Sequence, residues 1–240
     1  MLTAHLNGGL ANQLFQVAVT YALAWDNSDE CAFNLHAPVY YQGNPAITYK
    51  DNIFKQVKQL PETWKPSVVY EEPDLNYHPI PYAPNMLLKG YFGSEKYFAH
   101  HREKIIKLFK PETINHPDFA TLHVRRGDFV KHQNVHVLLP IEYYQGALKL
   151  IDSKIVFVVS DDVKWCKDNL KDKRLEFLDQ KDWQDLLLIS ACRCNILANS
   201  TFSWWGSWMN ENENKVVIAP KKWYTYDICQ DIFCKNWILI

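Results

Sequence analysis

Residues 120–128 read Ala-Thr-Leu-His-Val-Arg-Arg-Gly-Asp. An apolar, β-branched run of strand length leads directly into two arginines, a glycine and an aspartate. Packing does not account for such a pair, because Arg is seldom buried without a partner. Its planar five-donor fork, charged at every working pH, suits a diphosphate. A plainer reading pairs Arg126 with Asp128 in a surface salt bridge. Both can hold together, since a carboxylate can orient the guanidinium that binds the ligand.

Beyond this stretch the pattern becomes regular. Strands are predicted at 120–124, 155–159, 175–178, 195–198 and 216–218, with helices at 141–151, 163–170, 183–192 and 202–210 between them. Short continuous strands separated by helices imply a parallel sheet covered on both faces, Rossmann-like in type. Ligands of such sheets bind at the carboxyl ends of the strands. After 155–159 come Ser160, Asp161 and Asp162, whose carboxylates suit a ribose hydroxyl, a guanine edge or a divalent metal, or else cap the next helix. After 195–198 come Asn199, Ser200, Thr201, Phe202 and Ser203, which form either a phosphate site at a helix start or an ordinary N-cap.

The amino-terminal half opens the same way, with a strand at 1–6, a glycine turn and a helix at 12–25. The backbone amides of Asn12 and Gln13 stand at that helix start, where an anion or sugar hydroxyl can be met. From 35 to 90, eight of the twelve prolines point to irregular loops. A helix capped by Ser94 is predicted at 94–110, and a linker at 111–118. The domains expected are thus 1–115 and 116–240.

The chain has 240 residues, 26 Lys and Arg against 27 Asp and Glu, and 48% apolar residues. One large domain or two small ones fit this length. The formal charge of −1 removes the long-range field needed for sequence-independent nucleic-acid or anionic-membrane binding. Cys31, Cys166, Cys192, Cys194, Cys229 and Cys234 form no pair of metal hooks, and the apolar setting of Cys192 and Cys194 suggests reduced thiols. Cys229 and Cys234 could pair. Nothing resembles a signal peptide or a membrane span, so a cytoplasmic protein is expected.

Five segments together resemble glycosyltransferase family 11, the α-1,2-fucosyltransferases. They are Gly8 to Gln16, His123 to Asp128, Phe157 to Asp162, Asn195 to Trp208 and Ala219 to Trp223. The resemblance implies a GT-B-like α/β fold, two Rossmann-like parallel-sheet domains with a cleft between them, the first facing the acceptor and the second the donor. It implies an inverting, metal-independent transfer of L-fucose from GDP-fucose to a glycan hydroxyl, most naturally the 2-OH of a galactoside. No cofactor is expected beyond the donor.

Carried over by position, Arg125 contacts the β-phosphate and neutralises the leaving GDP, while Arg126 is a second phosphate or supporting contact. His123, Asp161 and Asp162 lie near the guanine or ribose. Ser200, Thr201, Phe202 and Ser203 hold phosphate oxygens, and Gly9, Asn12 and Gln13 reach the donor from the other domain, Asn12 as a catalytic contact. The general base is open. Asp128 is first by position, His132 and His136 follow in the next loop, and Gln133 stands where α-1,6 relatives place a carboxylate. Ala11 and Phe129 replace the family's usual Gly and Tyr, and the Pro-rich middle is short.

Other classes fit less well. A short-chain oxidoreductase requires Tyr-x-x-x-Lys and Gly-x-Gly-x-x-Gly, and neither pattern occurs. A non-catalytic sugar- or nucleotide-binding module would share the aromatic content of 9 Trp, 13 Tyr and 12 Phe. Trp204, Trp205 and Trp208 lie at helical spacing and are expected to buttress their helix. An acceptor platform is then sought among the tyrosines of 40–97 or at Trp223.

Overall fold

The computed structural model describes residues 1–39, 43–110, 116–226 and 231–240. Cys229, Tyr40, Tyr41 and most of the linker expected at 111–118 lie outside the described residues. The chain divides into two compact units, one of Met1–Glu112 with Ile228–Phe233, the other of Thr113–Asp227 with Cys234–Ile240. Each has its own parallel sheet.

In the first unit, β1 (Thr3–Ala4) leads through the Gly8-Gly9 turn into α1 (Leu10–Asp26). Leu14, Val17, Ala18 and Ala22 are fully buried, and most of the remaining helix surface is buried too, as expected of a helix enclosed by its own unit. Two strands lie within the Pro-rich stretch read as irregular: β2 (Val68–Glu71) and β3 (Met86–Lys89). β3 is the central strand, parallel to β1 on one side and β2 on the other. The prolines fall in the connections around these four-residue strands, so a count over the whole stretch conceals them.

The helix predicted at 94–110 is broken. Ser94 caps it as expected, accepting from the Lys96 N–H at 3.3 Å. Two 3₁₀ turns follow, and regular helix α2 (Arg102–Phe109) begins only after them. The interruption at Phe98 buries that ring and turns His100 and His101 onto Asp26, the last residue of α1, with Nε2 to carboxylate distances of 2.9 and 2.7 Å.

The second unit holds β4 (His116–Val124), α3 (Ile141–Lys149), β5 (Ile155–Ser160), α4 (Val163–Asn169), β6 (Leu175–Phe177), α5 (Asp182–Ala191), β7 (Cys192–Ile196), α6 (Thr201–Trp208), β8 (Val216–Ala219) and β9 (Ile238–Leu239). Its six strands, all parallel, run in the order β6-β5-β4-β7-β8-β9. With β4 counted first this is the doubly wound order 3-2-1-4-5-6. The core joins Leu122, Val124, Val156, Val158, Ile196 and Ile218 to Tyr144, Ala147 and Leu148 of α3. Each fully buried aliphatic side chain contributes roughly 1.5–3 kcal/mol. Exposed ion pairs contribute about 0–1 kcal/mol. Burial therefore sets this architecture, and charge only decorates it.

β7 starts three residues before the predicted strand. Its polar residues misled the reading, because Asn195 is fully buried and satisfied, its Nδ2 donating to Thr121 Oγ1 at 2.9 Å and the Ile189 carbonyl at 2.9 Å. No helix among the described residues is long and apolar enough to cross a membrane.

Candidate active site

β4 opens its unit and lies at the sheet centre, so the crossovers leave it in opposite directions and a crevice forms at its carboxyl end. Arg125 and Arg126 follow Val124 there. The Arg125 fork is held on two sides, by Asp128 Oδ1 at 2.6 Å from Nη2 and Asp161 Oδ2 at 2.9 Å from Nη1. Arg126 donates from Nε to Asp162 Oδ2 at 3.2 Å and from its backbone N–H to Asp161 Oδ1 at 2.8 Å. Its guanidinium also lies 3.9 Å from the centre of the Trp165 ring. The backbone can approach Asp161 this closely because Gly127 intervenes, where a Cβ would come within 2.6 Å of Asp161 Oδ2.

The plainer reading of Arg126 needs one correction: Asp128 pairs with Arg125, and Arg126 pairs instead with Asp162, because the turn at Gly127 brings both arginines against the Asp161-Asp162 segment. Asp162 caps α4, its Oδ1 accepting from the Trp165 N–H at 3.1 Å, while its other oxygen holds Arg126. Ser200 caps α6, accepting from the Phe202 N–H at 3.3 Å. Thr201 and Phe202 are half-buried beside it. Three carboxylates and two guanidiniums thus stand together at the start of α4, where Asp162 is the cap, an arrangement able to receive an anion in exchange for part of its internal pairing.

His123 and Ser203 lie deeper. Both are buried, and His123 Nδ1 shares a hydrogen bond of 2.8 Å with Ser203 Oγ. Burial pushes the imidazole far below its ordinary pKa; Asp161 opposes this and Arg125 adds to it, so the ring is neutral. These two residues tie β4 to α6 beneath the crevice. In the first unit, Gln13 is likewise fully buried, its amide donating to the carbonyls of Gly8 and Asn44, each at 2.8 Å. It braces the turn that carries Gly9, the N-cap of α1, and half-buried Asn12 in the first helical turn. Trp204, Trp205 and Trp208 are buried as anticipated, but so is Trp223, which removes it as a stacking platform.

The sequence pattern places Asn199 only within the helix-start segment and does not single out Asp185 at all. Asn199 is buried and donates to the carbonyls of Val137 at 3.0 Å and Trp223 at 2.9 Å, fixing the loop after Asp128. Asp185, in the first turn of α5, has its carboxyl raised to about 6, chiefly by burial; the Gln180 hydrogen bond opposes this, and Asp182 and Asp179 add to it. An acidic residue in a helix's first turn ordinarily complements the dipole, so its type carried no signal.

A doubly wound unit with paired arginines and a capped helix start at its switch point defines a Rossmann-type α/β protein. Residues 1–240 match the glycosyl transferase family 11 profile, and the chain belongs to that family. It is accordingly a glycosyltransferase. Among similar proteins, the O-antigen biosynthesis glycosyltransferase WbnK of Escherichia coli is 30% identical over 63% of this chain and 59% of that protein. This chain therefore spans less than two thirds of that relative. An alpha-1,2-colitosyltransferase of Escherichia coli is 25% identical over 100% of this chain and 99% of its own length. Galactoside alpha-(1,2)-fucosyltransferase 2 of Oryctolagus cuniculus is 24% identical over 87% of this chain and 67% of that protein. A crystal structure of NodZ alpha-1,6-fucosyltransferase soaked with GDP-fucose aligns with a TM-score of 0.45 at 12% identity, covering 87% of this chain and 91% of that one.

Proposed function

We propose that the chain transfers L-fucose from GDP-β-L-fucose to a glycan hydroxyl, the 2-OH of a galactoside, with inversion at the sugar and without a metal. The observation that carries this reading is the Arg125 fork, held by Asp128 and Asp161 at the switch point of the sheet. As the bond between the anomeric carbon and the β-phosphate oxygen lengthens, negative charge grows on the leaving GDP. Fixed guanidiniums and helix-start N–H groups stabilise that charge with little reorganisation. Asp161 and Asp162 are already engaged with Arg125 and Arg126, which supports their serving the arginines rather than a cation.

A second donor is favoured by one observation, the full-length similarity to the alpha-1,2-colitosyltransferase. Comparing kcat/KM for GDP-fucose and GDP-colitose on one acceptor separates the two. The test of the shared reading is Arg125→Ala. A charge-assisted hydrogen bond is worth about 1.5–3 kcal/mol, so transfer falls at least ~10-fold, and toward ~100-fold in a dry site, while the fold persists. GDP release in the presence of lactose measures it, with circular dichroism as the folding control. Turnover near wild type would sink the role, and activity lost to a chelator would sink the metal-free mechanism.

A further inference from the structure

The acceptor hydroxyl must lose a proton as it attacks, and inversion places the group that takes it across the anomeric carbon from the leaving phosphate, about one sugar's width from the arginine that holds that phosphate. Three titratable side chains in the loop after β4 qualify by position: Asp128, His132 and His136. The structure treats them differently. The Asp128 carboxylate is engaged by Arg125 at 2.6 Å. His132 is exposed, and nothing restrains its ring among the hydrogen bonds described. His136 is half-buried and lies flat on Phe129, with ring centres 4.1 Å apart and planes 3° apart. The same Phe129 ring is 5.5 Å from the Arg125 guanidinium, so one aromatic side chain holds both groups in register.

The backbone beneath His136 is pinned as well. His136 pairs antiparallel with Tyr224. Thr225 donates from N–H to the Val135 carbonyl at 3.2 Å, and from Oγ1 to the carbonyls of Asn134 at 2.9 Å and Val135 at 3.0 Å. On the other side, Asn199 holds the Val137 carbonyl. An imidazole on a segment anchored at 134, 135, 136 and 137 is preorganised to a degree that surface histidines are not.

We propose that His136 is the catalytic general base, taking the proton of the acceptor hydroxyl. The assignment rests on the transferase reading above. In the step, an imidazole nitrogen lone pair binds the hydroxyl proton and the oxygen forms its bond to the anomeric carbon. The bond from that carbon to the β-phosphate oxygen breaks, and its electron pair leaves with GDP. The imidazolium then has the Asp128 carboxylate and the face of Phe129 for company, both of which favour the charged ring.

The surroundings also supply timing. Burial chiefly lowers the His136 pKa below its ordinary 6.5; Asp128 opposes this, while Arg125 and His132 add to it. Tyr224 is the other titratable neighbour, on the paired segment. The ring is therefore neutral near pH 7 and able to accept a proton. A diphosphate on Arg125 cancels the positive field that depresses it, so the base strengthens when the donor is bound.

The test uses wild type, His136→Gln and His136→Ala. Each is assayed for transfer from GDP-fucose to lactose over pH and for GDP affinity by calorimetry, and the wild-type histidines are followed by carbon-13 NMR. In both variants the expected result is unchanged GDP affinity with transfer reduced ~10²–10⁴-fold. The acid limb of kcat disappears, and imidazole in the buffer partly restores His136→Ala. The His136 signal, identified by its loss in the variants, titrates below 6.5 and moves upward when GDP is added. Retained transfer or an intact acid limb overturns the proposal. So does joint loss of GDP binding and transfer, or a His136 titration indifferent to GDP. If wild type binds GDP but transfers nothing, the transferase reading itself has failed, and the base falls with it.

Discussion

One carboxylate, that of Asp161, organises the arginine turn. It accepts the Arg126 backbone N–H, pairs with the Arg125 fork and fills the space that a Cβ on Gly127 would need. The arginines were legible in the sequence because a cation at a strand end has no packing explanation. The depth of polar side chains was not, since Gln13, His123 and Ser203 have the same residue types as surface ligands and differ only in burial. Asp185 was equally hidden, and it makes a prediction of definite sign. Its folded pKa, about 6, lies above the ordinary 3.8, so its contribution to stability is complete below pH 3.8 and is lost as the pH rises through 6. Asp185→Asn removes that loss. In urea titrations the variant should match wild type at pH 4 and exceed it at pH 7.5; an equal gap at both values would reject the account.

At the scale of elements, length and flanks decided what could be read. Strands in the second unit are bounded by helices with clear apolar faces, and the predicted spans of β5, α4, α6 and β8 agree with the structure within two residues. β2 and β3 failed to register because four residues between prolines give no countable alternation, and β9 because two residues give none. The meeting of α5 and α6 shows what the pattern of Trp204, Trp205 and Gly206 accomplishes. A Cβ on Gly206 would lie 2.5 Å from Ile189 Cγ2 and 3.2 Å from the Leu186 carbonyl oxygen. Gly206→Ala gains about 1 kcal/mol of helix propensity. It should lose ~1–3 kcal/mol to overpacking, leaving a lower urea midpoint. A midpoint above wild type would show that the helices can simply move apart.

For the whole molecule, near-neutral charge leaves local pairs to govern the response to acid. Burial raises the carboxyls of Asp26 and Asp231, but hydrogen bonds from His100 and His101 in the first case, and from Lys96 and the Tyr77 N–H in the second, outweigh it. Asp172 is held low by Arg174, which also donates to the carbonyls of Leu148 and Ile151. Each contributes stability above pH 3.8 that is lost as the pH falls through its lower folded value. Buried, neutral His123 acts in the same sense, from its ordinary 6.5 downward. Urea midpoints should therefore drop steeply below about pH 4, where Asp185 no longer changes; a flat profile from pH 4 to 2.5 would contradict these pairings. Parallel topology has a further consequence, in time. No described strand pair is closed by a hairpin, and Thr121 waits for Asn195, 74 residues on, before their strands can join. Non-local pairings of this kind form slowly. The first crossover, from β4 to β5, already brings Arg125 and Arg126 to Asp161 and Asp162, whereas Ser200 and α6 come only with β7. On this order of strand joining the charged turn after β4 assembles before the hydroxyls of α6, so a partly folded chain carries the paired arginines before it has the helix start at Ser200.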